Sequence, residues 1–159
     1  MTTVILCAGR LREKAFRQMA DEYLKRLSRF GKYEEAEIPD VPEPACASEA
    51  QREQVRRREG EAMLARVRPG DRVIALTITG RQRSSEDLAA HLADLKAAGC
   101  GRLVLVIGGS LGLSRDLLAR ADEELSMGLM TFPHQMARVM LLEQLYRAEK
   151  IQAGERYHK

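Results

Sequence analysis

The sequence predicts an α/β fold, a mostly parallel sheet with helices on both faces, and three observations carry that reading. Short apolar runs alternate with stretches of helical spacing from one end of the chain to the other. The strongest runs, Val4 to Ala8, Val73 to Ile78 and Leu103 to Ile107, show no polar alternation, the mark of strands covered on both faces. The chain of 159 residues has the length of one domain, and a domain of that size hides roughly 70% of its unfolded surface. Residues 1–159 are therefore expected to form a single domain.

Val4 to Ala8 opens the chain as a buried strand. Arg12 to Phe30 follows with helical spacing through Phe16, Met19, Ala20, Tyr23, Leu24 and Leu27. Tyr33 to Ile38 alternates weakly and reads as an edge strand, and the proline-rich stretch from Pro39 to Pro44 is a loop. Ser48 with Gln51 three residues on forms a capping box that opens a helix running to about Val67, where Pro69-Gly70 stops it. Val73 to Ile78 is the next strand, with Thr79-Gly80 as a turn. Ser84 and Asp87 cap a helix containing Leu88, Leu92 and Leu95, which Gly99 closes. Leu103 to Ile107 is a strand, followed by a glycine loop, a short helix from about Arg115, a weak strand around Leu125 and a last helix from Pro133 to about Gln152.

Composition narrows the function classes. Hydrophobic residues make up 45% and charged residues 31%, which excludes a disordered or collagen-like chain. The apolar runs fall far short of the ~18 residues of a membrane span, and the N-terminus lacks the pattern of a secretion leader, so a cytoplasmic location is expected. Cys7, Cys46 and Cys100 are odd in number and widely spaced, which argues for reduced thiols and against a metal cluster. The net charge is only +3, but Arg10 to Lys32 holds eight basic residues against three acidic ones. Such a cluster either tracks phosphates or is a solvated helix face. Arg52 to Arg58, matched by Glu49, Glu53, Glu59 and Glu61, reads as a solvated helix.

Ligands of parallel sheets bind outside the carboxyl ends of the strands, which directs attention to the segments after Leu76, Ile107 and Leu125. Gly108-Gly109-Ser110-Leu111-Gly112 follows the most apolar strand. It lacks the Gly-Lys-Ser/Thr ending of a P-loop and the spacing of the dinucleotide fingerprint, leaving a plain turn or a backbone cradle for some other ligand. Met127 to His134 is either an ordinary junction, with Met127, Met130 and Phe132 in the core, or a loop that places amides and a helix N-terminus beside a ligand. On the last helix, Leu141 and Leu145 widen the apolar surface beyond one stripe, which suggests that this helix meets another subunit. The chain ends in Arg156-Tyr157-His158-Lys159. Unless it frays, this tail offers two cations, a stacking ring and an imidazole, the groups that bind RNA phosphates and an unstacked base. His91 lies within a plain helix and reads as structural.

Several stretches resemble one family along the whole chain: Ile5 to Leu11, Ile107 to Ser114, Met130 to Met136, Arg138-Val139, Glu143 to Ala148 and the terminal Tyr-His-Lys. They are similar to the small SPOUT-class methyltransferases, and among these to the RlmH-type enzymes that methylate N3 of a pseudouridine in large-subunit (23S) ribosomal RNA. The resemblance implies a C-terminal trefoil knot, a homodimer, S-adenosylmethionine as methyl donor, and ribosomal RNA or the ribosome as partner, with neither metal nor membrane. Carried onto this sequence, it places cofactor contacts on Leu76, Gly108, Met127, Gly128, Leu129, Met130, Thr131 and Phe132. Gly128 departs from the family, which often has a serine or another polar residue there. Methyl transfer from a sulfonium needs position and a route for the N3 proton more than any metal. The acid–base or orienting candidates are His134, Tyr157 and His158, and the RNA-binding candidates Arg138, Arg147, Arg156 and Lys159. An RNA- or ribosome-binding module without catalysis is the alternative. A nucleotide-phosphate enzyme is disfavoured because no lysine follows Gly112.

Overall fold

In a computed structural model of the protein, residues 1–157 are described. His158 and Lys159, two of the expected site residues, lie outside them. Five strands alternate with five helices: β1 (Thr2–Ala8), α1 (Lys14–Leu27), β2 (Lys32–Ile38), α2 (Glu49–Leu64), β3 (Arg72–Gln82), α3 (Ser85–Ala97), β4 (Arg102–Ile107), α4 (Arg115–Arg120), β5 (Glu123–Ser126) and α5 (His134–Gln152). The sheet runs β2-β1-β4-β3-β5 and every pairing is parallel, with β2 at one edge as its weak alternation suggests.

Alternate residues of the central strands feed two cores. Ile5, Cys7, Leu103, Leu105 and Ile107 pack under α1, α3 and α5, and Val4, Leu6, Val104 and Val106 pack under α2 and α4. Both faces are thus covered, which is why these strands are apolar throughout. Local signals place the helix starts. The Ser48 hydroxyl accepts from Gln51 N while the Gln51 side chain accepts from Ser48 N, and Ser84 accepts from Asp87 N at 3.0 Å. After α5, Gly154 adopts φ +65° and turns the chain back.

Two expectations need correction. Thr79-Gly80 is not the end of a strand, because β3 continues to Gln82 after an irregular stretch between Leu76 and Arg81 and pairs there again with β5. Gly80 makes this possible: a Cβ there would lie 2.7 Å from the backbone of Leu125. Leu141 and Leu145 do not face a partner. They are 1% and 0% exposed, since α5 is enclosed by α1, α3 and the sheet, and that enclosure accounts for its wide apolar surface.

The basic segment is largely self-neutralised. Arg12 pairs with Asp40, Arg17 with Asp21 and Glu35, Arg26 with Glu22, Arg29 with Glu155 and Lys32 with Glu34. No helix among the described residues is long and apolar enough to cross a membrane. Among the described residues no group of three metal-ligating side chains occurs.

Candidate functional site

The carboxyl ends of β3, β4 and β5 open onto a cleft of about 690 Å³, within the size range of small-molecule sites. Leu76, Thr77 and Ile78 line it from the irregular stretch of β3 between its two pairings with β5. The glycine loop after β4 contributes Gly108 to Leu113, and the loop after β5 contributes Met127, Gly128, Met130, Thr131 and Phe132. Pro133 and His134 complete the wall at the first turn of α5.

The glycine loop is tight for a steric reason. A Cβ on Gly108 would meet the carbonyl carbon and oxygen of Gly112, both at 2.8 Å, so a side chain there displaces the loop itself before it reaches any ligand. A bridge between Gly109 and Gly112 closes the loop, and the buried Ser114 hydroxyl accepts from Leu117 N at 3.2 Å to start α4 directly behind it. In the loop after β5, Ser126 Oγ accepts from Gly128 N at 3.1 Å and donates to Gly128 O at 3.0 Å, which holds a narrow turn at the cleft mouth.

Seven of the eight residues expected to meet a cofactor line this cleft: Leu76, Gly108, Met127, Gly128, Met130, Thr131 and Phe132. Leu129 points away, being 81% exposed and outside the wall. The core reading of the junction fails for Met130, which is 73% exposed. His134 is half-buried in the wall and is its only titratable side chain among the described residues.

The expected RNA-binding residues fare differently. Arg138 is 0% exposed, so it is not available to RNA. Its guanidinium donates to Glu37 at 2.6 Å, to Glu35 at 3.4 Å and to the Gly9 carbonyl at 2.7 Å, which ties the loop after β1 to the start of α5. No local signal marks this role, because both carboxylates come from β2, about a hundred residues earlier. Arg147 is half-buried, pairs with Glu143 at 2.5 Å and lies over the Tyr157 ring at 4.9 Å. Arg156 is exposed.

Tyr157 docks on α5. Its hydroxyl donates to Glu143 at 3.1 Å and its ring meets Tyr146 edge-on at 4.9 Å. Burial, a hydrogen bond with Tyr23 and the Glu143 charge push its phenol up, so it is a neutral donor at physiological pH. Tyr146 lies twelve residues beyond His134, about 18 Å along the helix. The docked end of the chain is therefore remote from the cleft of its own subunit.

Sequence reasoning missed Glu59. It sits on α2 among solvated charges, yet it is 6% exposed and packs behind the glycine loop. The available signal was Gly60 beside it, since a mid-helix glycine is unfavourable unless something approaches closely. Here a Cβ would collide with Ser114 Oγ. His91 does read correctly as structural, its Nε2 lying 2.8 Å from Glu123.

A family model described as a predicted SPOUT methyltransferase matches residues 1–158. The chain belongs to the SPOUT methyltransferase family. Proteins named ribosomal RNA large subunit methyltransferase H are similar to this SPOUT chain over its full length and theirs. Those of Clostridium novyi (strain NT), Bifidobacterium animalis subsp. lactis (strain AD011) and Shouchella clausii (strain KSM-K16) are 49%, 48% and 46% identical over 159 residues. Membership in this family agrees with the all-parallel sheet.

Proposed function

We propose that this chain is an S-adenosylmethionine-dependent methyltransferase of large-subunit ribosomal RNA, acting at N3 of a pseudouridine in the cytoplasm. The observation that carries the reading is convergence. Residues separated by more than fifty positions, Leu76, Gly108 and Met127 to Phe132, meet around one cleft, and full-length relatives carry a ribosomal RNA methyltransferase name.

The cleft suits the cofactor on physical grounds. Leu76, Ile107, Met127 and Phe132 offer apolar walls for an adenine ring, and the loops after β4 and β5 offer backbone donors and acceptors for its edge and for the ribose. The cradle at Gly108 leaves no space for a side chain. When bound, the cofactor supplies an electrophilic methyl group. The protein's work is to hold the acceptor in line, exclude water and accept the N3 proton. His134, in the wall, is the residue placed to orient the base or take that proton.

Tyr157 and Arg156, with His158 and Lys159 beyond the described residues, form the RNA-binding end together with Arg147. Because Tyr157 docks on Glu143 and Tyr146, about 14 to 18 Å along α5 from its own His134, we assign the chain end to the cleft of a second copy in a homodimer. The exposed apolar side chains Leu129, Met130 and Met136 surround the start of α5 and support such pairing, in place of the enclosed Leu141 and Leu145. The trefoil knot that the resemblance implies belongs to the same proposal.

Mass mapping of ribosomal RNA from a strain lacking the gene tests the activity. One methyl group should vanish from a large-subunit pseudouridine and return on complementation, and an unchanged methylation map would refute the assignment. Deleting Tyr157 to Lys159 should abolish methylation while cofactor affinity and dimer mass by light scattering stay unchanged. Near-normal methylation would place catalysis elsewhere, with His134 the next candidate.

A further inference from the structure

Glu59 is a buried carboxyl without a cation. Its Oε1 accepts from Val41 N at 3.3 Å, and among the described residues no lysine or arginine bonds to it. Burial, reinforced by the neighbouring Asp40 charge and only partly offset by the Val41 amide, pushes it above the usual carboxylate range. Such a group costs stability unless something positive comes near it.

Its position shows where that charge would come from. Glu59 does not line the cleft, but Gly109 does, and a Cβ on Gly109 would lie 3.0 and 3.3 Å from the two Glu59 oxygens. The carboxyl therefore sits directly behind the cleft wall. Two glycines allow the approach: Gly109, and Gly60, which lets α2 press on Ser114 at the end of the loop. Among the described residues lining the cleft there is no carboxylate. Glu124 accepts from the Thr77 hydroxyl on the β3 side, and Glu59 is the acidic group placed behind the glycine loop. A charge in such a dry position acts through the thin loop with little screening.

We infer that Glu59 is a specificity-determining residue whose carboxylate, acting through the glycine loop, favours a cationic sulfonium ligand over its neutral thioether product. The inference rests on the cofactor reading above. The methyl donor carries a positive sulfur, and loss of the methyl group leaves S-adenosylhomocysteine without that charge. The ionised carboxylate behind the wall therefore holds the substrate form more tightly than the spent form, and the positive sulfur in turn favours its ionisation, without contact to either ligand.

The test is calorimetric and needs no RNA. The full-length protein is titrated with S-adenosylmethionine and with S-adenosylhomocysteine, and the ratio of the two dissociation constants is compared with that of Glu59→Gln. This substitution keeps the acceptor for Val41 N and removes only the charge. We expect the preference for the sulfonium form to fall about tenfold in Glu59→Gln, chiefly through weaker S-adenosylmethionine binding, and to be kept by Glu59→Asp. If circular dichroism shows Glu59→Gln to be unfolded, Glu59→Ala replaces it with the same expectation. An unchanged ratio in the folded neutral variant, or an equal weakening of both ligands, overturns the inference and leaves Glu59 a packing residue. Failure of the wild-type protein to bind either ligand would instead refute the cofactor reading itself.

Discussion

The two ends of the parallel sheet use the same residue types for opposite purposes. At the amino end, polar groups are joined to one another. Glu149, 5% exposed, receives Lys96 Nζ at 2.6 Å together with the Tyr33 hydroxyl, and Asp71 pairs with Arg102. Burial and the Glu149 charge push the Tyr33 phenol up, so that it remains a donor to the carboxylate. At the carboxyl end, Arg138 and its carboxylates join the ends of β1 and β2, but beside them the described wall of the cleft consists of glycines, one histidine and mostly apolar side chains. The amino end is closed by its pairs and stabilises the fold. The carboxyl ends of β4 and β5 keep an open cleft. The contrast locates function more firmly than any one motif, because an end that contributed only stability would have closed its cleft.

Substitutions can break or sharpen that contrast. Leu141→Lys places a charge where α5 is fully enclosed and should leave no folded protein by circular dichroism. A soluble folded monomer would restore Leu141 to a subunit interface. Arg138→Ala strands Glu37 and the Gly9 carbonyl and leaves Glu35 with Arg17 alone, and it should cost about 3–5 kcal/mol in urea unfolding. A loss of RNA affinity at unchanged stability would return Arg138 to the RNA-binding set.

Glu123 gives the pH arm. Burial works to raise its carboxyl, but hydrogen bonds and charges from His91, Arg83 and Arg72 overcome that and hold it below the usual range. A carboxyl lowered in the folded state contributes stability that is complete above its unfolded pKa. That stability disappears as pH falls through the lower, folded value. Glu123→Gln should therefore lose less stability than the wild type between neutral pH and acid, and parallel curves would contradict this. The smallest effect is expected at the open end, where Leu129→Ser should change unfolding stability by less than about 0.5 kcal/mol, because the side chain is 81% exposed.

How much was legible in the sequence follows the range of the interactions. Ser48, Ser84 and Pro133 mark their helices because caps act within three or four residues. The cleft loops were legible for the same reason, as Gly108, Gly112 and Gly128 are local signs of unusual backbone. The continuation of β3 was not, since it depends on Gly80 lying against β5 some forty-five residues later. Nor was the burial of Arg138, whose partners come from β1 and β2 about a hundred residues earlier, or that of Glu59, which stands among solvated charges on α2. The proposal that the chain end serves a second copy draws on the distance along the folded α5 between His134 and the Tyr157 contacts.

The central claim is that the open end of the sheet binds the methyl donor, and calorimetric titration with S-adenosylmethionine tests it most directly. Thr131 is exposed on the loop after β5 and lines the cleft, so Thr131→Trp fills the opening without disturbing the core. The wild type should take up one S-adenosylmethionine per chain, and Thr131→Trp, still folded, should bind it at least tenfold more weakly. Equal affinity in the two proteins would place the cofactor elsewhere and contradict the account.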